Sequence, residues 1–214
     1  MGTRTYSLLA ILIVAYFSVK AGVAQTAGVG TDYLKHSLTG GFVYEVPVGA
    51  NSGFSSLNNA PGFSINYSYR PRRWLALETG MEGVIRPVGS SICCRWVDSA
   101  HDELYLVPFG ARYVWEAQGG RVRLSVGGGG AYVKYRADPQ AASNFVFPYS
   151  AWGGQFVVSG DYGLTRSGKF RIGFAGRYYR ASPKVMLPYA GGTVLSTAVN
   201  LLVGGPVFTF SFHQ

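Results

Sequence analysis

The sequence predicts an all-β chain folded as an eight-stranded antiparallel up-and-down transmembrane β-barrel. Three observations lead there. First, apolar or aromatic residues alternate with polar or small ones along most of the chain, as in Phe170-Arg171-Ile172-Gly173-Phe174-Ala175-Gly176-Arg177-Tyr178. Successive strand side chains point to opposite faces, so each such segment has one greasy face and one polar face. Second, charged residues make up only 14% of the chain, while 15% is aromatic and 30 residues are glycine. Soluble domains carry about 25% charged residues, so much of this surface is not made for water. Third, the connections between alternating segments are long and short by turns, as in membrane barrels with short turns on one side and longer loops on the other.

Taken in order, residues 1–24 read as a secretory signal peptide. Arg4 gives the positive start, Leu8 to Val19 the apolar stretch, and Gly22-Val23-Ala24 the small residues before a cut at Gln25. The apolar stretch is shorter than the roughly 17–25 residues a spanning helix needs. The leader holds Arg4, Lys20 and no acid, so the net charge falls from +9 to +7 on cleavage. In an exported chain this charge favours an anionic lipid surface over nucleic acid as a partner.

Residues 25–37 form a polar lead-in. The first strand spans about 38–48, with Phe42, Tyr44, Val46 and Val48 opposite Val43 and Glu45. After a loop over 49–60, the second runs over about 61–70, with Phe63, Ile65, Tyr67 and Tyr69 opposite Ser64, Asn66, Ser68 and Arg70. Arg70-Pro71-Arg72-Arg73 reads as a tight turn, because proline suits a turn better than a central strand. The third strand, about 73–85, sets Leu75, Leu77 and Met81 against Glu78 and Glu82. Residues 86–102 are a long loop. The fourth strand, about 103–115, presents Tyr105, Val107, Phe109, Tyr113 and Trp115 opposite a face that includes Arg112, and 116–120 is a short turn.

The fifth strand, about 121–135, carries Leu124, Val126 and Tyr132 opposite Arg121, Arg123 and Ser125. A loop over 136–150 leads to the sixth, about 151–165, with Trp152, Phe156, Val158 and Tyr162 against Gln155, Ser159 and Asp161. The turn 166–169 feeds the seventh strand, 170–180, and a loop over 181–192 follows. The last segment, about 193–212, changes phase. Thr197, Val199, Leu201 and Val203 are odd, while Phe208, Phe210 and Phe212 are even. Such a change requires an extra residue, and Gly204-Gly205-Pro206 is the expected place for a bulge.

An even strand count with short turns near 70–73, 116–120 and 166–169 resembles the small eight-stranded outer-membrane barrels of the OmpA and OmpX type, over residues 38–212. The closing run Val207-Phe208-Thr209-Phe210-Ser211-Phe212 is similar to the C-terminal signal recognised by the barrel-assembly machinery, although His213 and Gln214 displace the aromatic from the end. The resemblance implies residence in the bacterial outer membrane, with its lipids and the assembly machinery as partners. It does not extend to the peptidoglycan-binding domain of OmpA. The soluble rival, a lipocalin-type barrel, is apolar inside and polar outside. Rows of Phe, Tyr and Trp opposite faces of Gly, Ser and Ala argue against it.

The polar faces gather Glu45, Glu78, Glu82, Arg112, Arg123, Asp161, Arg171 and Arg177, together with Arg70 and Arg121. Eight strands enclose an interior about wide enough for side chains, so these charges are expected to neutralise one another and fill the lumen; an ion-selective pore is the sharper alternative. Arg112 and Arg123 are expected nearly opposite each other with Glu78 as the nearby acid, Asp161 and Arg171 at the same level, and Glu45 and Glu82 facing Arg177. Leu77, Val107, Leu124, Val158 and Phe174 are expected on the lipid face.

Adjacent Cys93 and Cys94 lack metal-site spacing, and a disulfide between neighbours would be strained. Asp98-Ser99-Ala100-His101-Asp102-Glu103 holds residue types suited to nucleophilic catalysis, as in outer-membrane enzymes acting on lipid A or phospholipid, but reads more simply as a solvated loop. His36 and His213 are expected outside the strands. No cofactor or metal is implied. The function expected is that of a non-enzymatic barrel with a plugged lumen, acting in membrane integrity or surface interaction through its long loops.

Overall fold

A computed structural model describes residues 33–48, 59–87, 90–92, 95–97, 101–136, 149–182, 184–187, 193–196 and 199–213. The leader, Cys93-Cys94 and Asp98 to Ala100 lie outside the described residues. The strands in chain order are β1 (His36–Pro47), β2 (Ala60–Arg72), β3 (Leu75–Pro87), β4 (Ser90–Ile92), β5 (Arg95–Val97), β6 (His101–Ala117), β7 (Val122–Arg136), β8 (Tyr149–Gly163), β9 (Phe170–Ala181), β10 (Lys184–Leu187), β11 (Thr193–Ser196) and β12 (Val199–Phe212). Eight of them close an antiparallel barrel in the order β1-β12-β9-β8-β7-β6-β3-β2. The seam is β1 against β12, from His36 opposite Phe212 to Pro47 opposite Leu201. The remaining four form two separate hairpins, β4 with β5 and β10 with β11, inserted in two of the long connections.

Alternation sets which residues face out. Phe174, Val158, Leu77 and Leu124 are exposed on the barrel wall, Phe174 by 60%, and Val107 is half-buried on the same face. Aromatics gather toward both rims, as lipid interfaces favour. Trp152 packs with Tyr132 (5.2 Å) and edge-on to Phe109 (6.0 Å) toward the long loops. At the short-turn end Phe170 meets Phe210 (5.1 Å), and Phe212 stacks on His36 (5.5 Å). Glycine lets two aromatics lie flat on the wall: a Cβ on Gly130 would run into the Phe109 ring, its cross-strand neighbour, and one on Gly83 into the Phe63 ring. The short connection between β6 and β7 needs glycine for another reason. Gly119 and Gly120 both have left-handed φ, 65° and 87°.

Four expectations about local structure are corrected. β12 has no bulge at Gly204-Gly205-Pro206. Its register against β9 is unbroken from Val199 to Phe210, and odd residues face inward throughout, so Val199, Leu201 and Val203 are lumen residues. The apparent phase change is instead a change in what the lumen face is made of. The irregularity lies elsewhere, between Tyr69 and Arg72, where the β2–β3 register shifts. Pro71 sits in that shift, inside β2, and the turn falls at Arg73 and Trp74. His36 lies in β1 rather than before it; it contacts Phe212 and its Nδ1 is 2.6 Å from the Tyr67 hydroxyl. β6 begins at His101 and runs to Ala117, taking in Glu116, which was expected in the turn.

Candidate functional site

The lumen is where the chain concentrates its charge, and it divides into two halves. Toward the long loops, Val43, Val84, Leu104, Leu106, Val133, Tyr179, Leu201 and Val203 belong to one buried apolar cluster. This corrects the expectation of a polar face along the whole lumen: on β6 and β12 the inward positions change from charged or hydroxylated to aliphatic toward the long loops. These side chains occupy the lumen at that level. Leu106, Tyr179 and Leu201 are each 0% exposed.

Below that layer lies an ion-pair network. Arg177 reaches across the lumen from β9 to β3, where its guanidinium binds Glu82 through Nη1 and both oxygens of Glu78 through Nη2 at 3.2 Å. The same Nη1 lies 3.3 Å from Asn66 Oδ1 and from the Tyr179 hydroxyl. Glu78 also takes Arg112 from the neighbouring strand β6, and Arg112 donates to Ser159 Oγ at 3.3 Å. Ser159 is 2.7 Å from Ser125 Oγ. Across the closing seam, Ser37 meets Ser211 and Thr39 meets Thr209, each pair at 3.0 Å. Glu45 is fully buried and stands in register with Ala60 and Val203, on the strand two away from Arg177.

At the end of the lumen nearest the short turns, Glu116 gathers three arginines. Its Oε1 accepts from Arg70 Nη1 (2.9 Å) and Arg123 Nε (3.2 Å), and its Oε2 from Arg73 Nε (3.1 Å). Arg70 also donates to the Arg73 carbonyl and lies over the Tyr33 ring, 5.2 Å from its centroid. Tyr33 donates in turn to the Pro71 carbonyl at 2.9 Å, which fastens the lead-in under the barrel. Arg171 binds Asp161 and donates to the carbonyls of Gly120 and Arg121, both at 3.0 Å, joining two short turns. A chamber of about 60 Å³ remains between Arg70, Glu78, Arg112, Arg123, Arg177 and Ser159, with room for a few water molecules.

Five arginines (Arg70, Arg112, Arg123, Arg171, Arg177) thus share the described lumen with five acids (Glu45, Glu78, Glu82, Glu116, Asp161). One pairing differs from expectation. Arg112 is not opposite Arg123: Arg112 stands against Gly127, and Arg123 stands against Glu116. Like charges directly opposed are destabilising, and this register avoids that clash. A fourth strand ending at Trp115 leaves Glu116 in the turn, whereas β6 runs to Ala117. One more step of the alternation puts Glu116 on the Arg112 face. Phe208 and Phe210 lie on the lipid side of β12, opposite Gly40 and Leu38 of β1, and Phe212 lies half-buried opposite His36. Of the loop over 98–103, His101 and Asp102 start β6 opposite Pro87 and Arg86, and Glu103 is half-buried.

No protein-family model and no curated protein sequence matches the chain. Solved structures do. The outer membrane protein OprG from Pseudomonas aeruginosa superposes with a TM-score of 0.55 at 15% identity, over 86% of this chain and 99% of that one. Neisserial surface protein A superposes with a TM-score of 0.51 at 15% identity, over 84% and 97%. The likeness is one of fold. A barrel that turns rows of aromatic and aliphatic side chains outward and its charges inward is built for a bilayer. The chain is a closed eight-stranded antiparallel β-barrel with the fold of these small outer-membrane proteins.

Proposed function

We propose that the protein is a non-conducting, non-enzymatic outer-membrane barrel whose work is done at its surfaces, in membrane integrity or in contacts made by its long outer connections. The observation that carries this reading is the filled lumen: among the described residues, a packed apolar layer above a charge-balanced network leaves a chamber of about 60 Å³. Eight-stranded barrels have little interior beyond what side chains fill. The long connections support the surface role, since two of them carry hairpins of their own, β4–β5 and β10–β11.

The test is electrical and enzymatic together. Purified mature protein in planar bilayers is expected to give no steady conductance, and to leave the acyl chains of lipid A and phospholipid intact. Steady ion-selective conductance would replace this reading with a channel. Release of acyl chains that is lost in His101→Ala would replace it with a lipid-modifying enzyme.

A further inference from the structure

The short-turn rim carries charge of one sign. Lys35, Arg72, Arg73, Arg121, Arg166 and Lys169 are all exposed there. They come from every short connection and from the segment entering β1, so they surround the rim rather than clustering on one side. The acids at this end, among the described residues, are Glu116 and Asp161, with side chains 9% and 11% exposed and both held by arginines. Arg73 shares Glu116. The other five have no described carboxylate in salt-bridge contact. A lumen balanced in charge therefore ends in a ring that is not.

The depth of the ring identifies its partner. Its cations do not project from long loops; they adjoin the lipid-facing wall. Lys169 precedes Phe170, which is 52% exposed, and Arg166 follows Leu164, which is 60% exposed, by two residues. The Arg72 guanidinium lies over the Trp74 ring, 5.6 Å from its centroid, and Trp74 packs against Tyr113 at 6.2 Å. Lys35 adjoins His36, which stacks on Phe212. Aromatic side chains of this kind sit at headgroup level, so cations interleaved with them lie where lipid phosphates are. Guanidinium groups bind phosphate oxygens through paired hydrogen bonds, and basic residues beside a membrane draw anionic lipid toward them.

We propose that this ring binds the phosphate headgroups of anionic phospholipids in the leaflet at the short-turn side, which holds the barrel at a fixed depth and enriches those lipids around it. The proposal rests on the barrel being in a membrane and not on its lumen being closed, so a conducting barrel would leave it standing.

Quenching of Trp74 fluorescence tests it. The mature chain carrying Trp96→Phe, Trp115→Phe and Trp152→Phe is reconstituted in phosphatidylcholine vesicles, and brominated phosphatidylglycerol or brominated phosphatidylcholine is titrated in. The ring predicts a preference for phosphatidylglycerol of about fivefold at low salt, shrinking toward parity at high salt as exposed charges are screened. Arg72→Gln, Arg121→Gln, Arg166→Gln and Lys169→Gln combined should abolish the preference while the barrel remains folded. Should that variant not fold, the lipid ratio and its salt dependence in the parent chain decide alone. Equal quenching by the two lipids at low salt overturns the proposal. So does parity between lipids combined with salt-sensitive retention of soluble peptidoglycan fragments, which would assign the ring to the cell wall.

Discussion

Above Arg177 the interior of this barrel is mostly aliphatic and aromatic, with Leu106, Tyr179 and Leu201 out of reach of solvent and Gln155 buried beside them; below it, ion pairs and hydrogen bonds join most of the polar side chains, with Ala76, Val114 and Val207 set between them. The two halves share the same eight strands, yet they fill the lumen by different means. The apolar half needs only volume and shape, and neighbouring side chains can relax around a small change. The polar half needs every partner. Arg177 serves Glu78 and Glu82 at once, Glu78 serves Arg112 as well, and Glu116 serves three arginines. Removing one member of such a set leaves its partners charged and dry, which costs more than the pair itself was worth.

The largest effect should therefore come from the polar half. Arg177→Met leaves Glu78 and Glu82 facing each other in a closed space, and the expected loss is about 3–5 kcal/mol in unfolding from lipid. Leu201→Ala, made in the apolar half, should cost somewhat less, about 2–4 kcal/mol, because the loss there is transfer plus cavity. If Leu201→Ala proved the more damaging, the contrast between halves would be wrong as drawn.

The lipid face supplies the outside reference for both. Phe174 is 60% exposed on the wall, and Phe174→Arg near mid-depth should cost about 2–4 kcal/mol in lipid, with Phe170→Arg near the rim costing less. Equal losses at the two positions would mean that the wall is not graded by depth and that the band has been placed wrongly.

The barrel was readable in the sequence because alternation is a local property that eight segments repeat. What could not be read locally is which strands meet across the lumen. Arg177 and Glu82 are brought together only by barrel closure, with β9 and β3 far apart in the chain. The division into halves was present but disguised. On β12 the inward residues pass from Val199, Leu201 and Val203 to Thr209 and Ser211, while large aromatics face outward near one end only. An apolar lumen residue and an apolar lipid residue look alike in one dimension, so the change of zone read as a change of phase. The same ambiguity at a strand end hid Glu116. Proline at 71 signalled a turn, and its tolerance within a register shift was visible only in the pairing of β2 with β3.

The most direct measurement of the account is a double-mutant cycle on Glu78 and Arg112, using Glu78→Gln and Arg112→Met and unfolding in lipid as the readout. If the polar half is closed by mutual neutralisation, each single variant should lose more than the double, with a coupling of about 2 kcal/mol or more. A coupling near zero would mean that these charges do not depend on each other, and the two-part lumen described here would be contradicted.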